Sequence, residues 1–354
     1  MEDVTKAAVP ESEEYGSYAK VSLFKRAMRT KAFSLFVLLI VIAGVFSILS
    51  PMANDGFQAF LRDRTFWRIL QDLAVPGFLT IGVGCLIVSG NIDLSAATVG
   101  TMAGLICAVL MAWHGVAWYI CLIIAMVASA MVGTINAILV NELKQAPFIA
   151  TMAMSTVLTA VNMILATNEI GSMVSVVHYE NRVFQDLGTY RIFGEVPAAS
   201  VFMTLLFIIY GILLSKTKFG RTLYLMGGNR AATYLAGVNP RRISYFLFIN
   251  CSVLAALSGI TNASRIKMGS TQGIVTMQFT GITAALLGGI SFGGGSGGMG
   301  GAFLGLLVIQ TFNMGMTTSG GSPYIVTVLS GLLLLVALTF DYFNVRAQNK
   351  RVGA

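Results

Sequence analysis

The chain has 354 residues, of which 56% are hydrophobic and 11% are charged. An ordinary soluble domain has about 25% charged residues, so this composition excludes that class and predicts an all-α polytopic membrane protein. The formal net charge of +8 does not indicate a nucleic-acid partner, because the basic residues are concentrated between the apolar stretches, where they set membrane topology.

Residues 1–32 form a polar, partly acidic segment without the apolar core of a signal peptide. We expect this segment to be a disordered cytoplasmic tail, followed by a transmembrane domain over 33–342 and a cytoplasmic C-terminal tail over 343–354. A bilayer span needs about 20 apolar residues, and the hydropathy of the chain predicts about ten spans. They are expected near 33–50, 67–88, 95–113, 116–140, 147–166, 198–215, 243–264, 279–290, 299–315 and 323–340.

The segment 89–95, Ser-Gly-Asn-Ile-Asp-Leu-Ser, separates two apolar stretches and places a carboxylate at membrane depth. An acid in such a place is costly and usually functional. A broken helix leaves backbone groups without partners, which is tolerated only where they face protein or a water-filled cavity. We therefore expect this break to line a translocation pathway, where Asp93 either orders the backbone or contacts the substrate. The candidate site residues here are Gly90, Asn91, Asp93 and Ser95.

Two longer polar segments connect the spans. Segment 167–197 is expected outside the cell and is either a surface for an external partner or a solvated connector. Segment 216–242 is basic and is expected in the cytoplasm. Within it, Asn229 can cap a short helix and Gly237 can end it, after which Pro240 prevents continuation. Such a helix suits the docking of a cytoplasmic ATPase, although an ordinary loop has the same composition.

Glycines are concentrated in the stretch 288–301. A phosphate-binding loop would need a lysine that this stretch lacks. The spacing of Gly297, Gly301 and Gly305 places small residues on one helix face, which favours close helix packing or dimerisation over anion binding. A second re-entrant or broken segment is expected over 288–297.

The two breaks share a sequence form. Gly-Gly-Ile-Ser-Phe-Gly at 288–293 and Gly-Asn-Ile-Asp-Leu-Ser at 90–95 share the form Gly-x-Ile-[Asp/Ser]-[Leu/Phe], and each follows an apolar run. Matched breaks in two halves of a transporter indicate a central transport site, although a likeness of six residues also arises by chance. On this basis Gly289 and Ser291 join the candidate pathway residues.

The chain lacks the motifs of an energy-converting or catalytic protein. It contains no GxxxxGK[ST] phosphate loop, so an energy input requires a partner. No acid occurs between Glu195 and Asp341, which argues against a proton relay. His114 and His178 are far apart in sequence and the four cysteines lack metal spacing. We therefore expect neither an enzyme nor a metal site.

Three strings occur in one order along the chain: Ser-Gly-Asn-Ile-Asp-Leu-Ser at 89–95, Gly-Gly-Asn-Arg-Ala-Ala-Thr-Tyr-Leu-Ala-Gly-Val-Asn at 227–239, and Leu-Leu-Gly-Gly-Ile-Ser-Phe-Gly-Gly-Gly-Ser-Gly at 286–297. Together they resemble the permease subunits of ribose-type sugar ABC importers, over roughly residues 33–342. The resemblance implies cytoplasmic ATPase subunits that bind ATP and Mg, an external sugar-binding protein and a second permease subunit. The implied ATPase-coupling residues are Gly228, Asn229, Arg230, Ala231, Ala232, Gly237 and Asn239.

The chain also departs from the pattern of that family. The family commonly has Gly-Gly-Ile-Asp-Leu-Ser where this chain has Asn91, and it often carries an acid followed by Leu-Asp ahead of the Gly-Gly run, where residues 276–281 contain no acid. The expectation is a permease for a ribose-like sugar or related small polyol, in a bacterial or archaeal cell membrane, with both termini cytoplasmic. The alternatives are a stand-alone facilitator or secondary carrier, and a membrane receptor or scaffold.

Overall fold

The computed structural model describes residues 31–51, 58–322, 324–325, 328–329, 331–332, 335 and 339. The tail expected over 1–32 lies outside these residues except for its last two, which begin the first helix. The C-terminal tail over 343–354 also lies outside them. The described residues are mostly helical and have only four short strands, which confirms the predicted all-α class.

The described elements follow one another in a simple order. The helices are α1 (Lys31–Leu49), α2 (Asp63–Val88), α3 (Ala96–His114), α4 (Trp118–Asn141), α5 (Pro147–Leu165), α6 (Arg182–Thr189), α7 (Ala198–Lys216), α8 (Lys218–Gly228), α9 (Arg230–Leu235), α10 (Pro240–Ile266), α11 (Gln278–Leu287) and α12 (Met299–Thr318). Short 3₁₀ turns cover Ala59–Leu61 and Val275–Met277, and the strands are β1 (Val176–His178), β2 (Arg191–Ile192), β3 (Val196–Pro197) and β4 (Met268–Ser270).

Eight of the described helices are long and apolar enough to cross a membrane, namely α1 to α5, α7, α10 and α12. Their bounds agree with the corresponding predicted spans to within about four residues. The expected eighth span, 279–290, differs, because α11 has ten residues and is too short to cross a bilayer alone. The tenth, 323–340, lies largely outside the described residues, and those described within it are helical.

Helix α10 lies at the centre of the bundle and packs against α2, α3 and α4. Glycines allow this packing: a Cβ at Gly259 would overlap the backbone of Gly100, and one at Gly133 would lie 2.8 Å from Ile249 Cα. Small residues at such crossings let backbones approach closely where lipid provides no hydrophobic drive for helix association. The same holds for α12 against α11, where a Cβ at Gly301 would overlap Gly288. The packing interpretation of the glycine run is thus confirmed within this chain for Gly301 and Gly305, whereas Gly297 lies in the loop before α12 and not on its face.

One end of the bundle, which we call the cap end, carries a small folded unit. Strand β1 pairs antiparallel with β4, with Val177 opposite Gly269. The Tyr179 hydroxyl donates to the Ala263 carbonyl at 2.8 Å, and Ser264 Oγ donates to the Phe184 carbonyl at 2.5 Å. Segment 167–197 is therefore packed onto α10 and is not merely a solvated connector.

The opposite end, which we call the break end, contains segments 89–95, 141–147, 216–240 and 288–298. Arg230 Nη2 donates to Asn141 Oδ1 at 2.9 Å and Arg241 forms an ion pair with Glu142, so these segments contact one another. The segments expected in the cytoplasm thus share one end of the bundle.

The chain between β4 and α11 runs along the N-terminal half of α3, towards the first break. Gly269 packs against Leu105, the Ile274 amide donates to Thr101 Oγ1 at 3.1 Å, and Ala97 N donates to Gln278 Oε1 at 2.7 Å. The predicted eighth span is thus helical over Gln278–Leu287, but it does not cross the membrane as one helix. The crossing combines an irregular half over 271–277 with the short helix α11.

Candidate functional site

The first break covers residues 89–95, between the end of α2 and the start of α3. Gly90 has a φ of 77°, which favours glycine, and it turns the chain out of the helix. The Asn91 amide donates to the Leu86 carbonyl at 3.0 Å, and its side chain donates to Ser89 Oγ at 3.1 Å. Gly90 and Asn91 thus end α2 in an ordered turn.

Asp93 is fully buried and orders the start of α3. Its Oδ1 accepts from the Ser95 amide at 2.8 Å and from Ser95 Oγ at 2.6 Å. Asn136 Nδ2 of α4 donates to the same Ser95 hydroxyl at 2.9 Å. A carboxylate that accepts an amide at a helix N-terminus satisfies a donor that the helix itself leaves without a partner. This geometry favours the backbone-ordering role of Asp93.

Two further side chains hold the amides at this helix start. The Leu94 amide donates to Thr151 Oγ1 of α5 at 3.0 Å. Gln278 of α11 makes two bonds: its Oε1 accepts from the Ala97 amide at 2.7 Å and its Nε2 donates to the Asp93 carbonyl at 3.0 Å. The first break is therefore held by side chains from α5 and α11 together with its own carboxylate.

The second break covers residues 288–298, between α11 and α12. Its backbone visits the left-handed region at Gly289, Gly294, Gly295 and Gly297, with φ between 71° and 103°. The Ser291 amide donates to the Ser296 carbonyl at 3.3 Å, and the Gly294 amide donates to the Ser291 carbonyl at 3.0 Å. This break is thus a compact loop held by its own backbone.

The two breaks meet each other at the break end. The Gly295 amide donates to the Val88 carbonyl at 2.9 Å, and a Cβ at Gly294 would lie 2.9 Å from Gly90 N. The structure therefore brings the two predicted breaks together, and Gly90 and Gly294 lie at the point of contact.

Helix α8 ends against this junction. A Cβ at Gly227 would overlap both the Val88 carbonyl oxygen and the Gly295 amide nitrogen, so only glycine fits there. Tyr224 Oη also donates to the Gly297 carbonyl at 2.7 Å. One helix of the basic segment thus contacts both breaks directly.

The expected short helix is present as α9. Asn229 Oδ1 accepts from the Ala232 amide at 2.9 Å, as predicted for an N-cap. At the other end Gly237 has a φ of 78° and donates to Tyr234 O at 3.0 Å, while Val238 N donates to Thr233 O at 3.3 Å. These two bonds form a Schellman motif. The segment differs from the expectation in one respect, since it contains α8 as well as α9.

The residues that are exposed on this segment match the expected ATPase-coupling residues only in part. Ala231 and Ala232 are exposed as expected, but Tyr234 and Leu235 are the large apolar side chains there, 70% and 86% exposed. The guanidinium of Arg230 binds Asn141. Gly228 is exposed with open space where a Cβ would be, and the Asn239 side chain caps α10 by accepting from Arg241 N at 3.0 Å. The hydrogen bonds of Arg230 and Asn239 therefore stabilise the bundle itself.

Sequence reasoning missed three residues of this site: Thr151, Gly227 and Gln278. Gln278 lies in the acid-free stretch 276–281. Its hydrogen-bond partners are 181 and 185 residues away in the sequence, so no local pattern indicates them. Gly227 begins the string 227–239, where only the helix that follows carries a local signal. Thr151 has no local signal, because a threonine in an apolar helix commonly bonds its own backbone.

Most of the polar side chains around the first break are neutral. Asp93 is held by hydroxyl and amide donors, and the neighbouring polar groups of α3 and α5 are neutral, with Thr98 Oγ1 and Ser155 Oγ 2.7 Å apart. Among the described residues, no group of three or more His, Cys, Asp or Glu side chains could hold a metal ion.

Known proteins resemble the chain over most of its length. It is 30% identical to the ribose import permease protein of Bacillus subtilis (strain 168), covering 87% of this chain and 90% of that protein. It is also 30% identical to the L-arabinose transport system permease protein of Escherichia coli (strain K12), covering 88% and 91%, and 27% identical to the fructose import permease protein of Rhizobium meliloti, covering 86% and 84%. No solved structure matches the chain.

A protein family described as "Branched-chain amino acid transport system / permease component" matches residues 66–338. This match covers well over half of the chain and includes both breaks and the segment with α8 and α9. The chain therefore belongs to this family of transport permeases and is a multi-pass membrane protein.

Proposed function

We propose that the chain is the membrane-spanning permease subunit of an ABC importer for a simple sugar, either ribose-like or a related small polyol. An external binding protein delivers the sugar, and cytoplasmic ATPase subunits bind ATP and Mg and drive transport. A second permease subunit, identical or homologous, completes the pathway. The relatives support the substrate class, since those compared above are named for the import or transport of ribose, fructose and L-arabinose.

One structural observation supports the coupled mechanism. Helix α9 exposes Tyr234 and Leu235 at the break end, and α8 beside it packs Gly227 against both breaks. An ATPase that binds α9 would be connected through α8 to the residues that interrupt the membrane helices. A contiguous packed path of this kind can carry energetic coupling between the motor site and the pathway.

The proposal includes an orientation, with the break end and both termini in the cytoplasm. Lysine and arginine in the described segments at the break end support it, since the only described acids of those segments are Glu142 and the buried Asp93. The described cap end carries several acids beside its basic residues. Retention of basic residues on the cytoplasmic side is the usual determinant of topology.

Reconstitution tests the function. Vesicles that contain this chain alone should neither hydrolyse ATP nor accumulate sugar, whereas addition of the ATPase subunits and the binding protein should confer both activities. Ribose, fructose, arabinose and leucine serve as a substrate panel, because the family description names branched-chain amino acids. Accumulation by the chain alone under an imposed proton gradient would favour the secondary carrier, and uptake of leucine alone would overturn the sugar assignment.

The same complex tests the docking site. Leu235→Asp places a charge on the exposed apolar face of α9 and should reduce ATPase copurification roughly tenfold, the loss expected for an interface anchor. Leu61→Asp is the matched control, since Leu61 is 59% exposed near the opposite end of the bundle. Equal effects of the two substitutions would argue against α9 as the docking site.

A further inference from the structure

We propose that Gln278 is the positioning residue that joins the two breaks into one moving unit. The inference rests on the proposed function, since it concerns how the pathway is held during transport. Gln278 makes two directed hydrogen bonds through its side-chain amide, one to the Asp93 carbonyl of the first break and one from the Ala97 amide at the start of α3.

The position of Gln278 in the chain gives these bonds their effect. It is the first residue of α11, and α11 leads directly into the second break at Gly288. Its side chain is buried, 6% exposed, and binds where the first break passes into α3, at the Asp93 carbonyl within the break and at the Ala97 amide in the first turn of α3. One side chain thus holds the α3 end of the first break and belongs to the helix that leads into the second.

A second connection closes the unit at its other end. The Gly295 amide donates to the Val88 carbonyl, and Gly294 packs against Gly90. Between these contacts and Gln278 lies α11, whose Gly281 packs closely on Leu79 of α2. A rigid short helix with directed contacts at both ends cannot shift at one break without moving the other.

The hydrogen bonds of Gln278 also have no substitute nearby. Ser95, the N-cap residue of α3, does not cap the helix with its side chain, since its hydroxyl donates to Asp93. The Ala97 amide therefore depends on Gln278. Within a protein interior, a donor that loses its partner remains unsatisfied at the full desolvation cost.

Amide hydrogen exchange in the purified wild-type chain and in Gln278→Met tests the inference. Met has nearly the same volume but makes neither bond. The expected result is exchange roughly tenfold faster at Leu94 and Ser95 and also at Gly295, although Gln278 bonds none of these three amides directly. Acceleration at Ala97 alone, with Gly295 unchanged, would overturn the single-unit inference.

Gln310→Met is the matched control. Gln310 also donates from its amide to a backbone carbonyl across helices, to Asp72 at 2.9 Å, but near the cap end. It should leave exchange at Leu94, Ser95 and Gly295 unchanged, and equal acceleration in both variants would show general loosening and overturn the inference. If Gln278→Met does not fold, Gln278→Asn replaces it, because its shorter side chain keeps at most one of the two bonds.

Transport gives a second, separate readout. In the reconstituted complex, Gln278→Met should reduce sugar uptake roughly tenfold while Gln310→Met changes it less than about twofold. Full uptake in Gln278→Met would overturn the positioning role. A wild-type complex without sugar uptake would instead defeat the proposed function, and the exchange measurement would still decide whether the two breaks move together.

Discussion

The two breaks interrupt helices in the same bundle by different physical means. The first break is held by side chains, since Asp93, Thr151 and Gln278 each accept a backbone amide at the start of α3. The second break is held by its own backbone and by the close approach of glycines from three segments. The first kind of break depends on hydrogen-bonding side chains. The second kind depends on glycines, because there is no room for a side chain at those positions.

This difference predicts opposite sensitivities. Near the first break, removal of a polar group should be damaging because it leaves a buried amide unsatisfied. Near the second break, the addition of one methyl group should be damaging because backbone atoms occupy its place. Substitutions of the two kinds therefore test whether the breaks are built as described.

The largest effect is expected at Gly227. Gly227→Ala adds a Cβ that overlaps the Val88 carbonyl and the Gly295 amide, so the backbone of three segments must shift. We expect a loss of about 3 kcal/mol in stability, measured as a lower temperature for loss of the monodisperse species in detergent. Gly228→Ala is the control, because a Cβ there meets open space. Unchanged stability in Gly227→Ala would contradict the glycine-held junction.

Asp93 should show the next largest effect and distinguish its two interpretations. Asp93→Leu leaves the Ser95 amide and hydroxyl without their acceptor, at about 1–3 kcal/mol, whereas Asp93→Asn keeps an acceptor oxygen and should lose less. The measurement is assembly with the partner subunits, followed by sugar uptake. Normal assembly of both variants with uptake abolished in Asp93→Asn would instead assign Asp93 to substrate contact or gating.

The parts of this site that were predictable from sequence have local signals. Gly90 and Asp93 interrupt an apolar run, and Asn229 and Gly237 are the expected residues for the two ends of a short helix. These features depend on neighbours within a few positions, so propensity and hydropathy indicate them.

The remaining parts depend on distant contacts. Gln278 acts on residues more than 180 positions away, and Gly227 matters only because Val88 and Gly295 come beside it in the fold. The eighth predicted span, which is a helix too short to cross the bilayer, differs from the expectation for a similar reason. Its apolar composition is the same for a full crossing helix and for a short helix that follows an irregular, protein-packed stretch.

The smallest expected effect is at Thr151, where only one hydrogen bond of the first break is removed. Thr151→Val has the same shape and loses the acceptor for the Leu94 amide, so a cost of about 1 kcal/mol is expected. Thr159→Val is the matched control on the same helix, because its hydroxyl bonds the Ser155 carbonyl of its own helix. Thermal stability in detergent and exchange of the Leu94 amide measure the difference. If both valine variants behave alike, Thr151 does not hold the first break, and the distinction between a side-chain-held and a glycine-held break rests on Asp93 and Gln278 alone.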